Sequence, residues 1–131
     1  RAAQAGEVLM GAFANLSAVA LRAVGAHVDI LCAGTGGVVT AEDALFAGAV
    51  VDRISSAYGI LNDQGLLVRD AWRMLVSSGR PLAAALRDCQ GGRNLIAEGF
   101  DADIDVASKI DVTDIVPWLD LTQGRIIATV D

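Results

Sequence analysis

Residues 27–52, HVDILCAGTGGVVTAEDALFAGAVVD, decide how this chain is read. An apolar run ends at Cys32-Ala33, the glycine-rich turn Gly34-Thr35-Gly36-Gly37 follows, and a helical pattern then opens on Glu42 and Asp43. Strand, turn and helix in that order put polar groups at the carboxyl end of a strand, where open α/β sheets bind ligands. Glycine there lets the main chain approach a ligand closely, and a helix start offers N–H groups that lack intrahelical partners.

Upstream, EVLMGAF (7–13) reads as a buried strand, Asn15 as the cap of a helix from Leu16 to about Val24, and Gly25 as its stop. With 27–33 as a second strand, this is a βαβ unit whose crossover should be right-handed. Downstream, Thr40 stands at a helix N-cap with Asp43 three residues later, a capping-box variant. The helix AEDALFAGAVVDRISSAYG is apolar round much of its circumference and should pack on the sheet, with Gly48 permitting close approach. Asn62 to Gly79 predicts an amphipathic helix, and Pro81 starts another that breaks at Gly91-Gly92. NLIAEGF and DADIDVASKI are short helices of the same cap. TDIVPWLD and GRIIATVD have β character and are joined by LTQG, with Pro117 making the first an edge or bulged strand. The expected fold is α/β: a mostly parallel sheet with flanking helices, a right-handed βαβ start, a helical cap and a C-terminal β segment. All of it fits a single α/β domain, residues 1–131.

At 131 residues the chain is long enough to bury a real core. A hydrophobic fraction of 53% with only 5% aromatics suits close helix packing against a buried sheet. It equally suits a surface that a missing N-terminal half or a second subunit covers, so a homo-oligomer is one expectation. The longest apolar runs fall far short of the roughly 20 residues of a membrane span, and RAAQAGEVLM is not a signal peptide. No membrane association is expected. The first residue is not methionine, so the chain is expected to start partway through a longer protein. A net charge of −6 argues against binding nucleic acid through its phosphates, while leaving room for a local pocket for one phosphate. Cys32 and Cys89, the two cysteines, predict a reduced, cytoplasmic protein without a disulfide framework.

The glycine turn matches neither the P-loop nor the dinucleotide fingerprint. Two readings stay open: an anion cradle of N–H groups from Gly34, Thr35, Gly36 and Gly37, or a plain βα connection. Asp43 suits a capping role, which leaves Glu42 freer to bind magnesium or orient water. Cys32 reads better as a small buried hydrophobe than as a nucleophile, and His27 lies at the far end of its strand. Arg93-Asn94 reads as a helix start with a solvated arginine, and FDADIDVASKID lacks the spacing of a calcium loop.

LCAGTGGVVTAEDALFAGAVVD closely resembles the Cys-Ala-Gly, Glu-Asp and Ala-Gly segment of the 2-phosphosulfolactate phosphatase family. EVLMGAFANLSAVA is similar to that family's strand and Asn-containing helix, and GRNLIAEGFDADIDVASKIDVTDIVPWLD to its closing segment. The resemblance implies an α/β, magnesium-dependent phosphatase acting on a small acidic phosphomonoester in coenzyme M biosynthesis. It places the family's Glu-Asp pair on Glu42 and Asp43, its Cys-Ala-Gly on Cys32, Ala33 and Gly34, and its helix-start Asn on Asn15. Family members are about twice as long, so this chain resembles their later, C-terminal part. An Asp-rich segment and an Asn-Gly-Thr stretch of the earlier half lie outside it.

On this reading Glu42 and Asp43 are the catalytic and Mg2+-holding residues. Asn15, Gly34, Thr35, Gly36 and Gly37 bind a small anionic phosphorylated substrate. The competing expectations are a catalytically silent binding or assembly module, and half of an enzyme that is inactive alone.

Overall fold

The computed structural model describes residues 4–24, 27–55 and 61–128, and its packing centres on helix α2 (Ala41–Ile54). Ala47, Ala49, Val50, Val51 and Ile54 recur at helical spacing on the buried side of α2. Helix α1 (Leu16–Ala23) lies against α2 with Leu16 and Ala20 in the core, and α3 (Asp63–Ser77) covers α2 with Trp72. Gly48 makes the α2–α3 contact possible: a Cβ there would collide with the Val68 carbonyl and with Trp72 Cβ. The Phe13 ring joins the layers, edge-on to Phe46 with centroids 5.4 Å apart and stacked on Trp72 at 5.8 Å.

Three short helices, α4 (Leu82–Asp88), α5 (Gln90–Ala97) and α6 (Asp101–Ala107), form the expected helical cap. Leu86 and Ile104 tie it to the same core. On its surface Arg87 forks to Asp101 at 2.8 Å and Asp105 at 3.0 Å, which holds the Asp101 carboxyl below the usual range.

Strands β1 (Trp118–Asp120) and β2 (Arg125–Ile127) pair antiparallel around the expected turn. Asp120 builds that turn, accepting from Thr122 N at 2.9 Å and Gln123 N at 3.1 Å. The other side of β1 meets the start of the chain. Met10 N donates to Pro117 O at 2.7 Å, Leu119 N to Val8 O at 2.9 Å, and Leu9 bridges Trp118.

The fold is therefore α/β with six named helices and a small antiparallel sheet among the described residues. The mostly parallel sheet and the right-handed βαβ start are not found there. Residues 7–13 contribute one bridge, and 27–33 pair with no strand. A parallel strand exists only through its neighbours' hydrogen bonds, and among the described residues 27–33 have no such neighbour. In consequence the apolar face of α2 meets α3 and α1, and Gly48 abuts α3 instead of a sheet. The expected break at Gly91-Gly92 also moves. The kink falls at Cys89, and both glycines lie in the first turn of α5. The end of the predicted α2 helix, 56–59, lies outside the described residues.

Candidate active site at the start of helix α2

Thr40, at the N-cap of α2, has extended backbone (φ −114°, ψ 148°). Its hydroxyl caps nothing. The Oγ1 atom is buried and has no hydrogen-bond partner among the described residues. The capping box is absent because Asp43 is engaged elsewhere: its Oδ2 accepts from Gly34 N at 2.7 Å. The carboxylate thereby clamps the first residue of the glycine turn onto the start of α2.

Within the turn Thr35 and Val38 exchange main-chain hydrogen bonds, both at 3.1 Å. Gly34, Gly36 and Gly37 take φ of 68°, 61° and 79°, a region that side-chain-bearing residues rarely occupy. The N–H groups of Gly34 and Thr35 are thus occupied within the protein, and those of Gly36 and Gly37 lie at the exposed tip.

Glu42, one residue earlier, faces the other way. Its Oε1 accepts from Gly91 N at 3.1 Å, at the first turn of α5, where the free N–H groups favour a carboxylate. A Cβ on Gly91 would fall 2.5 Å from that oxygen, so glycine is what admits Glu42. Glu42 Oε2 is buried with no hydrogen-bond partner among the described residues. Beside it opens a groove of about 510 Å³ walled by Leu86, Leu95, Phe100 and Ile104, with Asn94 and Glu98 at its rim. Among the described residues no basic side chain lines it. Two carboxylates without a cation would repel a phosphate there.

Cys89, between α4 and α5, is buried and donates to Ala85 O at 3.2 Å. Burial first, and then the Glu42 and Asp88 carboxylates, push its thiol up, with Arg93 opposing. Cys32 is exposed, a correction to its expected burial, because the segment that carries it has no sheet to enter. Its Sγ lies 3.7 Å from Asp43 O, and desolvation, then Asp43, raise its thiol, which disfavours a thiolate nucleophile.

Asn15 is drawn into structural work instead of lining a crevice. It is buried, its Nδ2 donates to Met10 O at 3.2 Å and Ile115 O at 2.9 Å, and its Oδ1 accepts from Ala12 N at 2.8 Å. Arg93 is likewise engaged, bonding to Asp88 O and to Gln90 Oε1 at 2.9 Å. The start of α2 therefore brings together Gly34, Thr35, Thr40, Glu42 and Asp43, and through Glu42 it reaches Gly91. Sequence reasoning missed Gly91. Two adjacent glycines inside an otherwise helical run were the available signal of close approach.

A magnesium ion fits this donor set in one respect. The orphaned Glu42 Oε2 is a single carboxylate oxygen of the kind that holds an ion otherwise ligated by water and phosphate. Asp43 points to Gly34, so the pair does not converge. Among the described residues no three His, Cys, Asp or Glu side chains cluster in a metal-binding arrangement.

The sequence itself matches a family of phosphatases. Residues 1–122 match the sequence profile of the 2-phosphosulpholactate phosphatase family, and the chain belongs to that family. It is 35% identical to a probable 2-phosphosulfolactate phosphatase of Thermotoga petrophila over 115 residues, 86% of this chain and 48% of that protein. It is 32% identical to one of Deinococcus radiodurans over 123 residues, 91% of this chain and 50% of that protein. With one of Symbiobacterium thermophilum the identity is 30% over 131 residues, 97% and 54% of the two chains. The chain thus spans about half the length of these curated relatives.

Proposed function

We propose that this chain supplies part of the active site of a magnesium-dependent phosphatase. The enzyme would hydrolyse a small acidic phosphomonoester such as 2-phosphosulfolactate. The observation that carries the reading is the family match over residues 1–122, with Glu42 and Asp43 at the start of α2. Magnesium, when bound, neutralises charge that builds on the phosphoryl oxygens. Glu42 would hold it through Oε2, while Gly91 N fixes Oε1 and so the carboxylate's orientation. Asp43 positions the glycine turn, whose exposed tip at Gly36 and Gly37 would offer N–H groups to a phosphate oxygen. Asn15 acts at a distance by bracing the entry to α1. A water molecule is the attacking group in this scheme.

The test is turnover of phosphosulfolactate and of a generic phosphomonoester, with and without magnesium. Activity abolished by chelation and by Glu42→Gln, in a variant that melts like the parent, supports the reading; a Glu42→Gln variant with parental activity sinks it.

A second reading has its own observation: among the described residues, 27–33 are without a strand partner, and the chain spans about half of its relatives' length. On it, the chain is half of an enzyme and inactive alone. A folded chain that turns over nothing by itself, and gains activity with the complementary half of a relative, would distinguish it from a silent assembly module. Among the described residues no helix is long and apolar enough to cross a membrane, and we place the protein in the cytoplasm on the strength of its two free cysteines.

A further inference from the structure

The run from Val28 to Ala33 is neither helix nor turn nor bend. Among the described residues its main-chain N–H and C=O groups bond to no other main-chain group. Val28 reaches the core, but Ile30 is 38% and Leu31 79% exposed, and beyond the glycine turn Val39 is 84% exposed. Unpaired main chain bearing apolar side chains is what proteins ordinarily cover, since it templates strand addition.

We infer that residues 28–33 form a docking edge, about 20 Å long at the strand repeat, for a β-strand from the half of the family fold that this chain does not span. Two observations select that occupant. First, the relatives extend over about twice the matched region. Second, Ile30 and Leu31 are adjacent, so along a strand they face opposite sides of a sheet. A consecutive apolar run of this kind belongs to a strand covered on both faces. Edge-to-edge pairing with a second copy satisfies the hydrogen bonds of one edge and leaves both faces wet. A strand that arrives with its own packed layers covers them.

The test co-expresses this chain with the region of the Thermotoga petrophila relative that lies outside the matched 115 residues. Binding is read, not turnover, so failure here is separate from failure of the phosphatase reading. Expected are a one-to-one complex by mass, at least tenfold slower hydrogen exchange at residues 29–33, and at least tenfold slower alkylation of Cys32. Buried Cys89 is the internal control. Leu31→Asp changes an exposed side chain, so it keeps the parental melting curve, yet weakens the complex tenfold or more. The inference is overturned if no complex forms, if one forms with 29–33 still exchanging freely, if Leu31→Asp binds like the parent, or if this chain alone dimerises with 29–33 protected.

Discussion

Asp43 Oδ2 accepts the Gly34 N–H at 2.7 Å, closing the glycine turn onto the first turn of α2 with a carboxylate of the chain itself. A charged hydrogen bond of this kind contributes about 1.5–3 kcal/mol when sheltered and less when partly wet. Asp43→Ala should therefore cost roughly 1–2 kcal/mol and speed exchange of the Gly34 amide. Asp43→Asn, which retains an acceptor, should lose less. Denaturant midpoints with residue-resolved exchange check this; an unchanged Gly34 amide in Asp43→Ala would disprove the clamp.

Gly91 and Gly92 are neighbours with opposite tolerances. A methyl group on Gly91 meets the end of the flexible Glu42 side chain, so Gly91→Ala should change stability by no more than about 1 kcal/mol. It should nonetheless displace Glu42 and depress any magnesium-dependent turnover. A methyl group on Gly92 meets the Leu86 carbonyl, which cannot step aside, and Gly92→Ala should cost about 2 kcal/mol or more. Melting curves of the two variants, measured together, decide it.

Asn15 satisfies three main-chain groups from a buried position. Asn15→Ala leaves the Ala12 amide and two carbonyls short of a partner and should cost about 2–4 kcal/mol. Urea unfolding measures this. A loss below about 0.5 kcal/mol, the level of an ordinary surface change, would reject the bracing role.

Asp111, at φ 55°, accepts from Ser17 N and Ser17 Oγ, both at 2.6 Å, and from Arg53 Nη2 at 3.2 Å. The Ser17 hydroxyl bond is the largest cause holding its carboxyl below the usual range, with burial opposing. A depressed carboxyl contributes stability in full above its unfolded value, about 3.9, and loses it as pH falls through the lower folded value. Stability should thus decline below about pH 4, and Asp111→Asn should flatten that acid limb while lowering stability at neutral pH. Urea midpoints across pH 2–5 test the sign.

Where local physics suffices, the elements follow from their residues. Asn62, where the predicted helix begins, caps α3, its side chain accepting from Gly65 N at 2.8 Å. The tail hairpin turns at Asp120–Gly124, as LTQG requires. Pro81 precedes the first residue of α4. What local pattern cannot decide is the choice among competing partners. Asp43 had Thr40 within one helical turn and took Gly34 instead, while Asn15 had a capping role available and took Met10 and Ile115. The 27–33 run carries every mark of a buried strand, yet burial depends on what lies beside it. Of the candidate site, the start of α2 was legible from its Gly and acidic residues. The approach of α5 to Glu42 was not, because it spans 49 residues of sequence.

The bond from Asn15 to Ile115 joins residues 100 apart. During synthesis, at roughly 5–20 residues per second, a nascent chain must expose Asn15 for several seconds before its acceptor has been made. Until then the entry to α1 is unlatched and Phe13 lacks the tail that seats it. Closure of this latch consequently comes late in synthesis, only after Ile115 has been made.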